Sequence, residues 1–232
     1  MAKVIVTTSW DDGHILDLEL AELLQKYGIK GTFYICPNFG EIPASECLSE
    51  AQIRELSKNF EIGAHTMTHP NLENIEDGEA LREIVASKKY LENVLNKPVD
   101  SFCYPSGYFN ARHEQMVKES GFKLARTVER FAKDIGDNPF ALPTTVHAYR
   151  HCSDAFSILR AVGIKKFISC YLNWDELAIN LFDSVAKNGG VFHLWGHSWE
   201  VEKNNDWKRL EKVLNHIAGR QSVRYAVNTE IL

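Results

Sequence analysis

The chain has 232 residues, 44% of them hydrophobic and 25% charged, with a formal net charge of −5. This balance excludes a disordered or low-complexity chain and allows one sizeable core, so a single domain over residues 1–232 is the default. No block of five or six basic residues occurs, and so neither nucleic acid nor an anionic membrane surface is expected as a partner.

The strand and helix signals alternate. Residues 4–8 read as a buried strand. Leu16, Leu20, Leu23 and Leu24 then recur at helical spacing, and Gly28 supplies a stop. Residues 31–36 form the next strand. Ser49-x-x-Gln52 is a capping box that opens a helix ending near Asn59. A third strand, 60–64, runs straight into His65. A long helix covers 77–95, with Pro98 behind it. A strand at 101–104, a helix at 111–120 ending before Gly121, and a strand at 123–127 follow. In the second half, helices are expected at 156–162, 175–187 and 207–218, and strands at 190–194 and 223–227. Such alternation argues for βαβ units and a mainly parallel sheet. Asp11, Asp12, His65, Pro105, Arg126 and His197 all fall at or just after strand C-termini, the end that carries the active site in barrels. A distorted, TIM-like (β/α) barrel of about seven parallel strands is the expected α/β fold.

The five cysteines (Cys36, Cys47, Cys103, Cys152, Cys170) are odd in number and scattered, with no C-x-x-C. They argue against a disulfide framework and for a reducing compartment. The N-terminus reaches Val4-Ile5-Val6 without a basic segment and a long apolar stretch. No signal peptide or membrane insertion is therefore expected, and the expected location is cytoplasmic.

Two short motifs carry chemistry. Asp11-Asp12-Gly13 follows the first strand, where side chains alternate faces, so one carboxylate can bind a metal while the other accepts a proton. Taken alone, the same residues also fit an ordinary turn with a helix cap. His65 and His69 sit four apart, either on one helical face or brought together by a loop. With Asp12 they make the three protein ligands of a catalytic zinc with an open position. Two imidazoles, one ligand carboxylate and one spare carboxylate are the inventory for hydrolysing an amide or ester with a metal-activated water.

The order of these motifs resembles the polysaccharide deacetylases, the NodB-homology or carbohydrate esterase family 4 domain. Thr8-Ser9-Trp10-Asp11-Asp12-Gly13 resembles the family's first motif and His65–Pro70, by number 65–70, its second. Phe102-Cys103-Tyr104-Pro105-Ser106-Gly107 resembles the third, and residues 191–197 ending in His197 the last. The resemblance implies Asp11 as general base and Asp12, His65 and His69 as ligands of a divalent cation. Zinc is the first expectation for that cation, with cobalt, manganese, nickel and iron(II) as alternatives. It implies the Ser106 N–H, just after Pro105, as an oxyanion donor, His197 as general acid, and Trp195 as an apolar wall for the acetyl methyl. Tyr104, Tyr108, Phe109, Trp195 and Trp199 are candidates to stack on a sugar ring or to pack the barrel.

The chain departs from the family pattern in three places. Cys103 stands where the family carries an arginine that contacts the base, Ser106 replaces an aromatic, and the aspartate of the fourth motif has no clean match. Arg126 is therefore expected to supply the missing cation to Asp11. His193 is the competitor of His197 and reads as a core residue. Glu200 is placed to orient His197, and His14 to line the pocket. His147 and the His151-Cys152 pair read as loop residues. The function these residues imply is metal-dependent removal of acetyl groups from N-acetylated sugars. A hydrolase of cyclic imides or ureides on the same scaffold is the alternative, and a silent binding barrel a further one. The substrate is then an N-acetylated carbohydrate or a small amide, and the sequence leaves the oligomeric state open.

Overall fold

A computed structural model of the chain describes residues 4–232. Strand β1 (Val4–Asp12) is buried along all nine residues. Its side chains divide between two environments because alternate residues face opposite ways. Val4, Val6 and Trp10 join the large apolar cluster beneath the helices. Ile5, Thr7, Ser9 and Asp11 face the inside of a barrel, to judge from their partners.

The other elements follow in order. They are α1 (Asp17–Lys26), β2 (Thr32–Ile35), α2 (Glu50–Leu56), β3 (Glu61–Ala64), α3 (Asp77–Leu95), β4 (Ser101–Cys103), α4 (Ala111–Glu119) and β5 (Leu124–Arg126). The second half holds β6 (Val146–His147), α5 (Ala155–Val162), α6 (Ile164–Leu172), α7 (Trp174–Asn188), β7 (Gly190–Gly196), α8 (Ser198–Lys203), α9 (Trp207–Ile217) and β8 (Val223–Tyr225). Every strand pairing is parallel. Seven strands curl in the order β5-β4-β3-β2-β1-β7-β6, and β8 lies beside the first half of β1. Between β5 and β6 the chain itself spans the gap. Arg126 pairs with Leu142, and the Thr145 N–H donates to the His193 carbonyl.

Three local signals explain why these elements form. The Ser49 hydroxyl accepts from the Gln52 N–H while the Gln52 side chain accepts from the Ser49 N–H, so the expected capping box opens α2. That helix ends at Leu56, one turn earlier than the sequence pattern implied. Helices α6 and α8 and the two-residue strand β6 were absent from the sequence reading. Only Gly163, at φ 74°, separates α6 from α5, and the helix expected at 156–162 covers α5 alone. At Gly63 a Cβ would lie 2.3 Å from Tyr34 Cε1. The bare backbone of β3 is what lets the Tyr34 ring cross the barrel. Gly63→Ala is expected to lower stability by about 3 kcal/mol, at the upper end for overpacking, read as a lower urea midpoint.

The barrel interior is layered. Ile5, Leu124, Leu142, Ala226 and Ile231 form an apolar floor. Above it lies a polar layer. The Asn228 carboxamide accepts from Thr7 and Arg126 and donates to the Tyr34 hydroxyl. The Arg126 guanidinium also bonds the Pro143 carbonyl and His193 Nδ1, and His193 Nε2 meets the Ser9 hydroxyl at 2.9 Å. Arg126 is 1% exposed. Its hydrogen bonds go to Pro143, His193 and Asn228 and not to Asp11, so the expected direct pairing gives way to a weaker attraction across the layer. Burial lowers its pKa to about 10. His193 belongs to this layer, as a core histidine.

Candidate active site

Above the polar layer, a cavity of about 370 Å³ opens at the C-terminal end of the strands. Asp11, Asp12, His65, His69, Ser106, Trp195 and His197 line it. Strand β1 runs through Asp12 rather than stopping before it, so both carboxylates are held by parallel pairing to β2. The two point differently, as alternation requires. Asp11 Oδ2 accepts from Trp195 Nε1–H (2.8 Å) and from the Cys103 thiol (3.1 Å), and Asp12 Oδ2 accepts from Trp199 Nε1–H (2.9 Å). Neither Asp11 Oδ1 nor Asp12 Oδ1 accepts a hydrogen bond from any described group, although both are buried.

Asp12 Oδ1 lies 3.7 Å from His65 Nε2 and 3.7 Å from His69 Nε2. The His65 ring is fixed through Nδ1, which donates to the Cys103 carbonyl at 2.7 Å and leaves Nε2 with a free lone pair toward Asp12. Burial lowers the His65 pKa to about 3, so the ring is neutral and able to act as a ligand. Burial lowers His69 too. For Asp12, burial pushes upward, but His197, His65, His69 and the Trp199 N–H outweigh it and hold the carboxyl below its usual range. An orphaned buried carboxylate oxygen facing two imidazole nitrogens fits a divalent cation, and the three ligand atoms lie within 4.8 Å of one another. Asp11, His65 and Cys103 are also close enough to form a trio. Burial, with Asp11 next, holds the Cys103 thiol protonated, and as a donor to Asp11 it is a poor ligand.

The histidine loop is not a helix. Thr66 and His69 both have φ 60°, and the loop is held by its neighbours. Thr66 Oγ1 donates to the His65 carbonyl and accepts from the His69 N–H. From α3, Glu83 accepts from the Met67 and Thr68 N–H groups (2.8 and 2.9 Å) and from the Thr68 hydroxyl. Asp12 (φ 84°) and Ser106 (φ 52°) also take left-handed conformations, so among the described residues four of the seven non-glycine positions with positive φ lie at this site. Strain concentrated in this way accompanies functional sites. Glu83→Ala removes the loop's anchor without touching the cavity. It is expected to weaken zinc affinity about 10–100-fold, as for other outer partners of metal ligands, measured by competition with a chromophoric chelator.

On the opposite wall, His197 Nε2 is 3.7 Å from Asp12 Oδ2, and Nδ1 meets Glu200 Oε2 at 3.0 Å. Burial pulls this imidazole down, but Glu200, Asp12 and Asp11 outweigh it and raise its pKa to about 8. Asp11 is raised to about 7, chiefly by burial, with His197 opposing and Asp12 assisting. The Trp195 ring packs 4.7 Å from His197 and 4.3 Å from His147.

Several expectations change. Tyr104 is fully buried, stacks on Phe109 and donates its hydroxyl to the Phe140 carbonyl, so it packs the barrel and does not line the cavity. Pro105 is buried at the turn that presents Ser106. His14 faces Glu46 and caps Leu16, away from the cavity. Conversely His147 and His151, expected as loop residues, line the cavity and bond each other at 2.7 Å. Phe39, Glu41, Val128, Arg130 and Tyr149 complete the walls. None of these carried a sequence signal, because they come from long irregular loops. Trp199 had been a candidate for stacking only; its N–H holds Asp12.

The polysaccharide deacetylase family model matches residues 1–125, more than half of the chain. The peptidoglycan-N-acetylglucosamine deacetylase of Bacillus cereus is 28% identical over 121 residues, 51% of this chain and 54% of that one. The chain spans about half the length of the curated relatives it matches. Among solved structures, the Streptococcus pyogenes deacetylase PplD in complex with acetate is 25% identical, with a TM-score of 0.55 over 59% of this chain and 62% of that chain. The Xyl-CE4 domain of a multidomain xylanase from the hindgut metagenome of Trinervitermes trinervoides shares the fold. It has a TM-score of 0.64 and 13% identity, over 100% of this chain and 90% of that one. With the Asp pair, the histidine loop and the curled parallel barrel on the matched stretch, the chain belongs to the polysaccharide deacetylase family.

Proposed function

We propose that the protein is a metal-dependent N-deacetylase that removes acetyl groups from N-acetylated sugars. The observation that carries this reading is the pair of orphaned buried carboxylate oxygens, Asp11 Oδ1 and Asp12 Oδ1, the second of them 3.7 Å from two imidazole nitrogens. Asp12, His65 and His69 would hold the cation, which when bound polarises a carbonyl and makes water more acidic.

The remaining chemistry belongs to the chain. Asp11 is anchored through Oδ2, so its free Oδ1 takes the proton from water as the water attacks the acetyl carbon. Ser106 lines the cavity in a left-handed turn, and its N–H would donate to the developing oxyanion. His197, held at Nδ1 by Glu200, gives its Nε2 proton to the departing amine. The Trp195 ring excludes water beside both groups. A cavity of about 370 Å³ suits a sugar-sized ligand. Acetate release from N-acetylglucosamine oligomers, measured beside ring opening of small cyclic imides, tests the substrate class. Turnover of the imides alone would replace the sugar reading.

The rate requires Asp11 ionised and His197 protonated. Activity should therefore fall on the acid side as Asp11 takes a proton, from about 7 downward, and on the alkaline side as His197 loses one, near 8. A bound cation disfavours protons at both groups and moves both limbs to lower pH. Glu200→Gln withdraws the hydrogen-bond partner that favours the imidazolium. Its alkaline limb should shift down by about one unit while the acid limb stays in place, read from pH–rate profiles of the two proteins under identical metal loading.

A further inference from the structure

Helices α5 and α6 form a hairpin that is apolar on both faces. Ile158 and Cys170 face inward, into the cluster that also holds Trp174 and Leu177. Yet Phe156 is 77% exposed, Leu159 36%, Ile164 80%, Ile168 68% and Leu172 52%. Ile164, Ile168 and Leu172 follow one another at i, i+4 and i+8, one continuous stripe along α6. A helix on the surface of a globular protein turns its polar side outward, and this pair does the reverse. A contiguous exposed apolar face of this kind marks an interaction surface.

The charge around it selects the partner. Arg150, Arg160, Lys165 and Lys166 lie between residues 150 and 172. The one acidic residue there, Asp154, is already engaged by Arg130. The segment therefore carries an excess of positive charge on a chain whose net charge is −5. A second copy placed on this face across a two-fold axis would set one basic rim against the other. An apolar stripe rimmed by Lys and Arg instead matches the boundary between anionic headgroups and acyl chains.

The face also adjoins the cavity. Tyr149 lines the cavity wall and, with Arg150 and Leu172, a neighbouring hollow. We propose that the α5–α6 hairpin seats the protein on the surface of an anionic bilayer, beside the mouth of the cavity. The contact is peripheral, because among the described residues no helix is long and apolar enough to cross a membrane. These four cations are spread over 17 residues and so form no basic block in the sequence.

Co-sedimentation with vesicles tests the proposal without any reference to turnover. The full chain should pellet with vesicles of equal parts phosphatidylglycerol and phosphatidylcholine. Pelleting should be much weaker with phosphatidylcholine alone or at high salt. Lys165→Glu with Lys166→Glu should lower binding by roughly 25-fold or more, since each basic residue at such a surface contributes about fivefold. Ile164→Glu with Ile168→Glu should lower it at least tenfold, on the order expected for losing the inserted apolar contact. All four positions are exposed, so circular dichroism should show each variant folded. Absence of pelleting with anionic vesicles overturns the proposal. So does binding that both double variants retain. A concentration-dependent dimer that the isoleucine substitutions dissolve, without vesicle binding, assigns the face to a second copy and likewise overturns it.

Discussion

Asp11→Asn protein is expected to keep its bound cation and lose about 10²–10⁴-fold in kcat, the range for removing a general base. This corresponds to about 3–5 kcal/mol of barrier. The expectation follows from the division of labour between the two neighbouring carboxylates. Asp12 Oδ1 faces His65 and His69, whereas Asp11 is tied back by Trp195 and Cys103 and keeps one oxygen free. Asparagine preserves that shape, and its carboxamide can still accept from the Trp195 N–H. What it cannot do is take a proton. Metal content and acetate release measured on one preparation decide the matter. Loss of the cation together with the activity would place Asp11 among the ligands.

His65→Ala should have the opposite profile. Removing one of two imidazoles costs more than the about 10–100-fold seen for outer partners of metal ligands, so zinc affinity should fall at least 10²-fold and turnover should fall with it. The variant also leaves the buried Cys103 carbonyl without its donor. That exposes a cost of about 1–3 kcal/mol in stability, so a lower melting temperature should accompany the metal loss. Binding measured by competition at a temperature where both proteins are folded separates the two effects. Wild-type zinc affinity in the folded variant would remove His65 from the site.

The strand–helix alternation of the first 127 residues was legible because each element there carries its own punctuation. Gly28 stops α1, Ser49 and Gln52 open α2, and Pro98 follows α3. The close approach of Asp12, His65 and His69 was legible for a different reason. Asp12 and His65 sit at the C-terminal ends of β1 and β3, which flank β2, so a sequence that reveals the strands also reveals their ends. Arg126 shows where this reasoning stops. Its position at a strand end was read correctly, and Cys103 stands in register beside it. Its side chain nonetheless turns down into the polar layer, where Asn228, 102 residues later, offers an acceptor. Asp11 is served instead by a thiol and an indole, two neutral donors. Glu83 carried no signal, and Trp199 and His147 read as a stacking and a loop residue, because their places depend on tertiary contacts between segments 15 or more residues apart. No periodicity or motif records such contacts. Helix α6 follows α5 across a single glycine, and the stripe Ile164, Ile168 and Leu172 that marks it faces solvent and not the core.

Stepwise addition of zinc to chelator-stripped protein, with acetate release from N-acetylglucosamine oligomers recorded at each step, tests the reading of the site most directly. Release should start near zero, rise in proportion to added metal and level off at one ion per chain. The same titration on His65→Ala should stay near the baseline. Release that survives chelation undiminished, or that His65→Ala shares, would contradict a cation held by Asp12, His65 and His69.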